Sequence, residues 1–219
     1  MTRVKICGLT TEADLEIAVD AGADAVGVIA DVPVDTPRDV STDRAATLVA
    51  SAPPFVTTVL VTMARSSDPD RITDLVSAVE PDVLQLHGVL ELDDPDDLAA
   101  RIDREFVAAI DADEVTEAAR FDDLVDAFLV DTPAADGGGG TGRTHDWDRT
   151  RAAADSLESP TILAGGLTPE NVAEAVRTVE PFAVDVASGV EATGGVKDDD
   201  AVRSFVARAK AARSAEPIP

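Results

Sequence analysis

Val4-Lys5-Ile6-Cys7-Gly8-Leu9-Thr10-Thr11-Glu12-Ala13-Asp14-Leu15 passes from a short alternating strand, through a glycine turn, into a capped helix. Val4 and Ile6 share one face of the strand and Lys5 and Cys7 the other. Thr10 or Thr11 can cap the helix, with Asp14 three residues after Thr11 as a capping-box variant. The same unit then recurs along the chain. Strands are expected near residues 4–7, 25–29, 55–61, 83–86, 106–110, 127–130, 161–163 and 183–186. Helical patterns follow each, at 12–21, 42–51, 69–79, 94–101, 114–119, 148–157, 169–178 and 199–213. Eight strand–helix units predict an α/β chain with its parallel sheet closed into a single (β/α)8 TIM barrel. An open doubly wound sheet is the alternative, but Cys7-Gly8-Leu9-Thr10 lacks the glycine fingerprint that such a sheet carries after its first strand. Residues 1–219 read as one domain with a fraying tail at 214–219. Thr168-Pro169-Glu170 reads as a cap ahead of a proline at the first helical position.

Composition narrows the function classes. With 219 residues, 45% of them hydrophobic, the chain can bury a core. No run of 18 apolar residues is present, and Met1-Thr2 leads into a strand without a signal-peptide pattern, so a cytoplasmic enzyme is expected. One cysteine excludes an internal disulfide and a cysteine metal cluster. Lys plus Arg number 18 against 43 Asp plus Glu, a formal net charge of −25. Nucleic acid and anionic membranes are therefore excluded as partners, since phosphate surfaces need clustered cations. The periodic apolar content argues against disorder as the reason for this acidity. A halophilic cytoplasm fits it, because molar salt screens the self-repulsion. Acidic runs such as Asp93-Asp94-Pro95-Asp96-Asp97 and Asp198-Asp199-Asp200 lack EF-hand spacing and read as solvated surface.

In β/α barrels the chemistry sits at the C-terminal strand ends. There stand Cys7, Gln85, His87 and Asp131, with Gly165-Gly166 after the seventh strand and Ser188-Gly189 after the eighth. The last two loops are the common phosphate site of such barrels; Gly165 and Gly166 let backbone N–H groups approach an anion, and a short helix after Ser188-Gly189 would add its dipole. Closure makes strands one and eight neighbours, and alternation turns Lys5 and Asp185 inward, so the two are expected to pair. Lys5 would favour a thiolate at Cys7, although an inert buried cysteine and a structural His87 remain open on position alone. Residues 132–147, with Gly137-Gly138-Gly139-Gly140-Thr141-Gly142, form a functional loop or a flexible insertion.

Taken together, several motifs resemble the phosphoribosylanthranilate isomerase family of tryptophan biosynthesis. They are Lys5-Ile6-Cys7-Gly8-Leu9-Thr10, Gln85-Leu86-His87-Gly88, Gly139-Gly140-Thr141-Gly142 with Trp147, Leu163-Ala164-Gly165-Gly166-Leu167-Thr168-Pro169-Glu170-Asn171-Val172 and Asp185-Val186-Ala187-Ser188-Gly189-Val190-Glu191. The resemblance implies a cofactor-free and metal-free Amadori rearrangement of N-(5-phosphoribosyl)anthranilate to 1-(2-carboxyphenylamino)-1-deoxyribulose 5-phosphate. It implies Asp131 as general acid and Cys7 as general base, with opposed pKa shifts, Asp131 up and Cys7 down. It also implies Arg38 for the anthranilate carboxylate, and Gly165, Gly166, Asp185, Ser188 and Gly189 in the substrate-binding set. Departures are Thr36 before Pro37-Arg38, the loop 31–35, Val61-Thr62-Met63 after the third strand, and His145 ahead of Trp147. The rivals are a related histidine-pathway aminoaldose isomerase, which uses two aspartates, and a non-catalytic phosphometabolite-binding barrel. Oligomeric state is not legible in the sequence.

Overall fold

The structure, a computed structural model, describes residues 1–64, 69–131 and 147–212. Eight parallel strands form the barrel: β1 (Arg3–Ile6), β2 (Ala25–Ala30), β3 (Thr57–Met63), β4 (Val83–His87), β5 (Glu105–Asp111), β6 (Ala127–Asp131), β7 (Thr161–Leu163) and β8 (Ala183–Val186). Each pairs with its neighbour in sequence, and β1 pairs with both β2 and β8, which closes the sheet. Eight helices follow in turn: α1 (Glu12–Asp20), α2 (Thr42–Ser51), α3 (Pro69–Val79), α4 (Pro95–Arg101), α5 (Val115–Ala118), α6 (Trp147–Ala154), α7 (Val172–Val179) and α8 (Asp199–Ala212). The expected closed barrel is the observed one.

Strand alternation decides what faces inward. Val4, Ile6, Val184 and Val186 pack outward against the helices, as do Leu84, Leu86, Phe106, Ala108 and Ile110. Val107, Ala109, Ala127 and Leu129 fill the barrel axis, with Val59 and Val61 beside Cys7. Burying this apolar area is the main stabilising contribution.

At the opposite end from the chemistry, three aspartates do one job. Asp24, Asp82 and Asp126 accept from the backbone N–H of Val4, Thr58 and Phe106 at 2.8, 2.8 and 2.7 Å. The N–H of each aspartate returns to the carbonyl of the same residue. The entries of β1, β3 and β5 thus have their backbone groups satisfied by side chains.

Caps follow the sequence with one shift. Thr11 and Asp14 form the expected box around the start of α1. Thr168, however, does not begin a regular helix. Its hydroxyl accepts from Glu170 N–H, its carbonyl from Asn171 and Val172 N–H, and its own N–H donates to Asn171 Oδ1, so a capped turn precedes the regular helix, which begins at Val172. Among the described residues no helix is long and apolar enough to cross a membrane.

Candidate active site

Carried to the C-terminal end, the inward parity brings Cys7, Met63, His87, Asp111 and Asp131 to one mouth. Lys5 and Asp185 sit just beneath. Their register places them opposite each other across the β1–β8 seam, and Lys5 Nζ donates to Asp185 Oδ1 at 3.0 Å, both side chains under a tenth exposed. Gly27 on β2 makes room for them: a Cβ there would stand 2.8 Å from Cys7 Sγ and 3.1 Å from Lys5 Nζ.

The charge state of Cys7 corrects the sequence reading. Burial pushes its thiol up; Lys5 pulls down, Asp185 pushes up again, and the net direction is upward. Lys5 cannot deliver the expected depression, because its charge is already neutralised by Asp185 and the site is dry. Burial pulls Lys5 itself down, but Asp185 and Cys7 together hold it above the ordinary lysine value. His87 is kept below its usual value by burial and then by Lys5. Its Nε2 lies 3.2 Å from Gln85 Nε2.

Asp131 ends β6 in register with Asp111 on β5, and its carbonyl accepts from Ala112 N–H at 3.2 Å. One carboxylate oxygen of Asp111, Oδ1, is buried without a hydrogen-bond partner, and burial followed by Glu114 and Asp113 raises this group.

On the other side of the mouth, the loops after β7 and β8 touch. Gly165 and Gly166 both adopt positive φ, 82° and 57°, which a side chain would strain. Asn171 Nδ2 ties the Gly166 carbonyl at 2.9 Å. Gly189 lies so close that a Cβ would collide with the Leu167 carbonyl oxygen. Ser188–Val190 is a single 3-10 turn that leads into a strand, so the short helix expected after Gly189 is not there. Any dipole contribution is correspondingly small.

Arg38 is bound from an unforeseen direction. Its Nε and Nη2 donate to Glu191 Oε1 and Oε2 at 2.8 and 2.7 Å, while its stem lies over Gly8. Lys197, with no exposed side-chain surface, donates to Glu191 at 2.9 Å and to the Ala187 carbonyl at 3.1 Å. Burial works against the Glu191 carboxylate, but the bonds from Arg38 and Lys197 hold it below its ordinary value. Gly194 and Gly195 turn the intervening hairpin so close to Pro37 that a Cβ at either would collide with it, 2.9 Å from its Cγ and 2.6 Å from its carbonyl oxygen.

The family model for N-(5'-phosphoribosyl)anthranilate (PRA) isomerase matches residues 4–208. The chain belongs to the N-(5'-phosphoribosyl)anthranilate isomerase family. An isomerase of that name from Haloferax volcanii is 60% identical over 98% of this chain and 96% of its own. One from Halobacterium salinarum is 59% identical over 96% and 97%. The Thermotoga maritima isomerase structure superposes with a TM-score of 0.82 at 36% identity, over 96% of this chain and 99% of that one. A second isomerase structure, in complex with reduced 1-(o-carboxyphenylamino)-1-deoxyribulose 5-phosphate, gives 0.79 at 34%, with the same coverage.

Cys7, Asp131, Arg38, Gly165, Gly166, Ser188 and Gly189 therefore gather at one end of this isomerase-family barrel, with Asp185 one layer below, holding Lys5. The glycine segment 137–142 and His145 lie outside the described residues. Sequence reasoning missed Gly27, Asp111 and Lys197, and quoted Glu191 without giving it work. A glycine inside β2 and an aspartate ending β5 were the available signals for the first two.

Proposed function

We propose that the chain isomerises N-(5-phosphoribosyl)anthranilate with Asp131 as acid and Cys7 as base. Asp131 protonates the ring oxygen, the furanose opens, and a protonated Schiff base forms. Cys7 removes the C2 proton, and the enolamine tautomerises to the ketone. The observation that supports this reading is the strand parity that turns Cys7 and Asp131 inward at one end of the barrel, with the Arg38 stem lying over Gly8 beside Cys7. Burial raises the Cys7 thiol, so the base is the minor thiolate fraction whose proton has already gone to solvent, and the iminium charge that develops beside it in the open substrate would stabilise that form.

The phosphate falls to the loop backbone at Gly165, Gly166, Ser188 and Gly189, where the positive φ of Gly165 and Gly166 and the missing Cβ of the three glycines let an anion approach closely. The anthranilate carboxylate falls to Arg38, and Asp185 acts through Lys5 beneath the pocket. Residues 1–219 work as one domain in a salt-rich cytoplasm, in keeping with the −25 net charge and the named relatives. The test is fluorescence-monitored consumption of phosphoribosylanthranilate in high potassium chloride by the wild type, Cys7→Ser and Asp131→Asn. Turnover in the wild type and losses of orders of magnitude in both folded variants are expected. An inactive, folded wild type would overturn the reading.

A further inference from the structure

We propose that Glu191, anchored by Lys197, is a positioning residue: it grips the side-on edge of Arg38 and leaves the end-on edge for the carboxylate of the substrate. This deepens the reading that Arg38 receives the anthranilate carboxylate, and rests on it.

A guanidinium carries five N–H donors in a rigid plane. Glu191 takes two of them, one from Nε and one from Nη2. These define one edge of the fork. Three donors remain, both protons of Nη1 and the second proton of Nη2, and one from each nitrogen forms a parallel pair that matches a second carboxylate. The Arg38 side chain is 22% exposed while that of Glu191 is 4% exposed, so the gripped edge is the buried one.

An isolated arginine at a loop would sample many rotamers, and binding would have to order it. Here the order is built in beforehand. Glu191 is itself fixed by Lys197 Nζ at 2.9 Å and by Gly195 N–H at 3.3 Å. Lys197 is fixed in turn, since its N–H donates to Asp14 Oδ1 at 2.9 Å and its ammonium to Ala187 O at 3.1 Å. The chain of contacts runs from the first turn of α1 to the guanidinium. The charge balance also matters. Lys197 neutralises Glu191, so Arg38 keeps net attraction for an incoming anion although it is already paired.

Lysine could not replace Arg38. An ammonium is a point charge with no second planar edge, and Glu191 would capture it.

The experiment compares two inhibitors, reduced 1-(o-carboxyphenylamino)-1-deoxyribulose 5-phosphate and the same molecule lacking the aryl carboxylate. Their affinity ratio isolates the carboxylate, and the decarboxylated ligand reports on everything else. The wild type should favour the carboxylated ligand by about tenfold to a hundredfold, the range for a charge-assisted bidentate contact. Arg38→Ala should erase the ratio. Glu191→Gln and Arg38→Lys should each remove most of it, raise KM far more than they lower kcat, and leave the decarboxylated ligand bound within about threefold, a spread too small to reflect collapse of the site. Arg38→Lys keeps the Glu191–Lys197 pair, so it serves if Glu191→Gln fails to fold. If Arg38→Ala erases the ratio while Glu191→Gln or Arg38→Lys retains it, the positioning role is overturned and the Arg38 reading survives. If Arg38→Ala leaves the ratio intact, that reading is overturned and the positioning role with it. Equal loss of both ligands in Glu191→Gln marks a purely structural residue and also overturns the proposal.

Discussion

Replacing Lys5 with methionine removes the cation from the barrel axis and strands Asp185, whose side chain is 9% exposed. Methionine fills most of the vacated volume, so the loss is chiefly electrostatic. Breaking a buried pair by deleting one partner costs about 3–5 kcal/mol, because the remaining charge has neither water nor counter-charge. For a chain of this size each kcal/mol moves Tm by about 2–4 °C, so Lys5→Met should melt roughly 6–20 °C lower. The double variant Lys5→Met/Asp185→Val should recover most of that, since neither charge is then buried. Melting followed by circular dichroism at fixed potassium chloride measures all three. The penalty should persist in molar salt, where exposed pairs are screened and a dry pair is not. The pH dependence has a definite sign. The folded-state value of Lys5 is raised, so the wild-type advantage is fully present below the ordinary lysine range and is lost as pH rises through the folded value. A Lys5→Met variant that loses under about 1 kcal/mol, well short of the range for a broken buried pair, would refute the coupling. So would a double variant no more stable than Lys5→Met.

The raised Cys7 thiol should alkylate with iodoacetamide more slowly than a free thiol near neutrality, and its rate should keep rising with pH where a free thiol has levelled off; a plateau below the free-thiol range would contradict the burial effect. The kcat/KM of the wild type should show the same rising limb. In Gly27→Ala the new methyl group would press on Cys7 Sγ and Lys5 Nζ, and turnover should fall on the order of tenfold to a hundredfold with the fold retained, as ångström displacements of reacting groups do; turnover within about twofold of wild type would show that the strand absorbs it. With a net charge of −25, Tm should climb as potassium chloride rises from dilute to molar, and a flat profile would remove the case for salt-dependent folding.

Closure was legible because it follows from periodicity. Eight strand–helix alternations leave β1 and β8 as neighbours, and parity then brings Lys5 and Asp185 together without any further information. The direction of the Cys7 shift was not legible. Lys5 beside a cysteine suggests depression, yet the outcome depends on how dry the site is and on the second charge, which are properties of packing. The grip of Glu191 on Arg38 was hidden for another reason. The two residues are 153 positions apart and sit on an irregular loop and a hairpin, where no repeat fixes the register. The start of α7 was legible to within one turn: Thr168 caps a turn, with its N–H held by Asn171 Oδ1, and the regular helix begins at Val172.

Two ion pairs, Lys5–Asp185 buried beneath the mouth and Arg38–Glu191 partly exposed at it, cross the same boundary. Lys5 with Asp185 joins β1 to β8, and Arg38 with Glu191 joins the loop after β2 to the hairpin after β8. A barrel closes where its last strand meets its first, and that contact has the greatest sequence separation and the greatest loop-closure cost. Apolar alternation forbids a one-residue slip of β1 against β8, which would flip every side chain to the other face, but not a two-residue slip, which keeps the faces. A two-residue slip would set Lys5 opposite Ala183 or Ala187 and leave two buried charges unpaired. Buried pairs add little to stability when compared with apolar replacements. Their use here is better explained as register control, since the slipped closure is penalised far more than the correct one is favoured. Across the same closure Asp185 holds Lys5 beneath Cys7 and Glu191 holds Arg38 over Gly8, so the pairs that select the register also hold residues of the site.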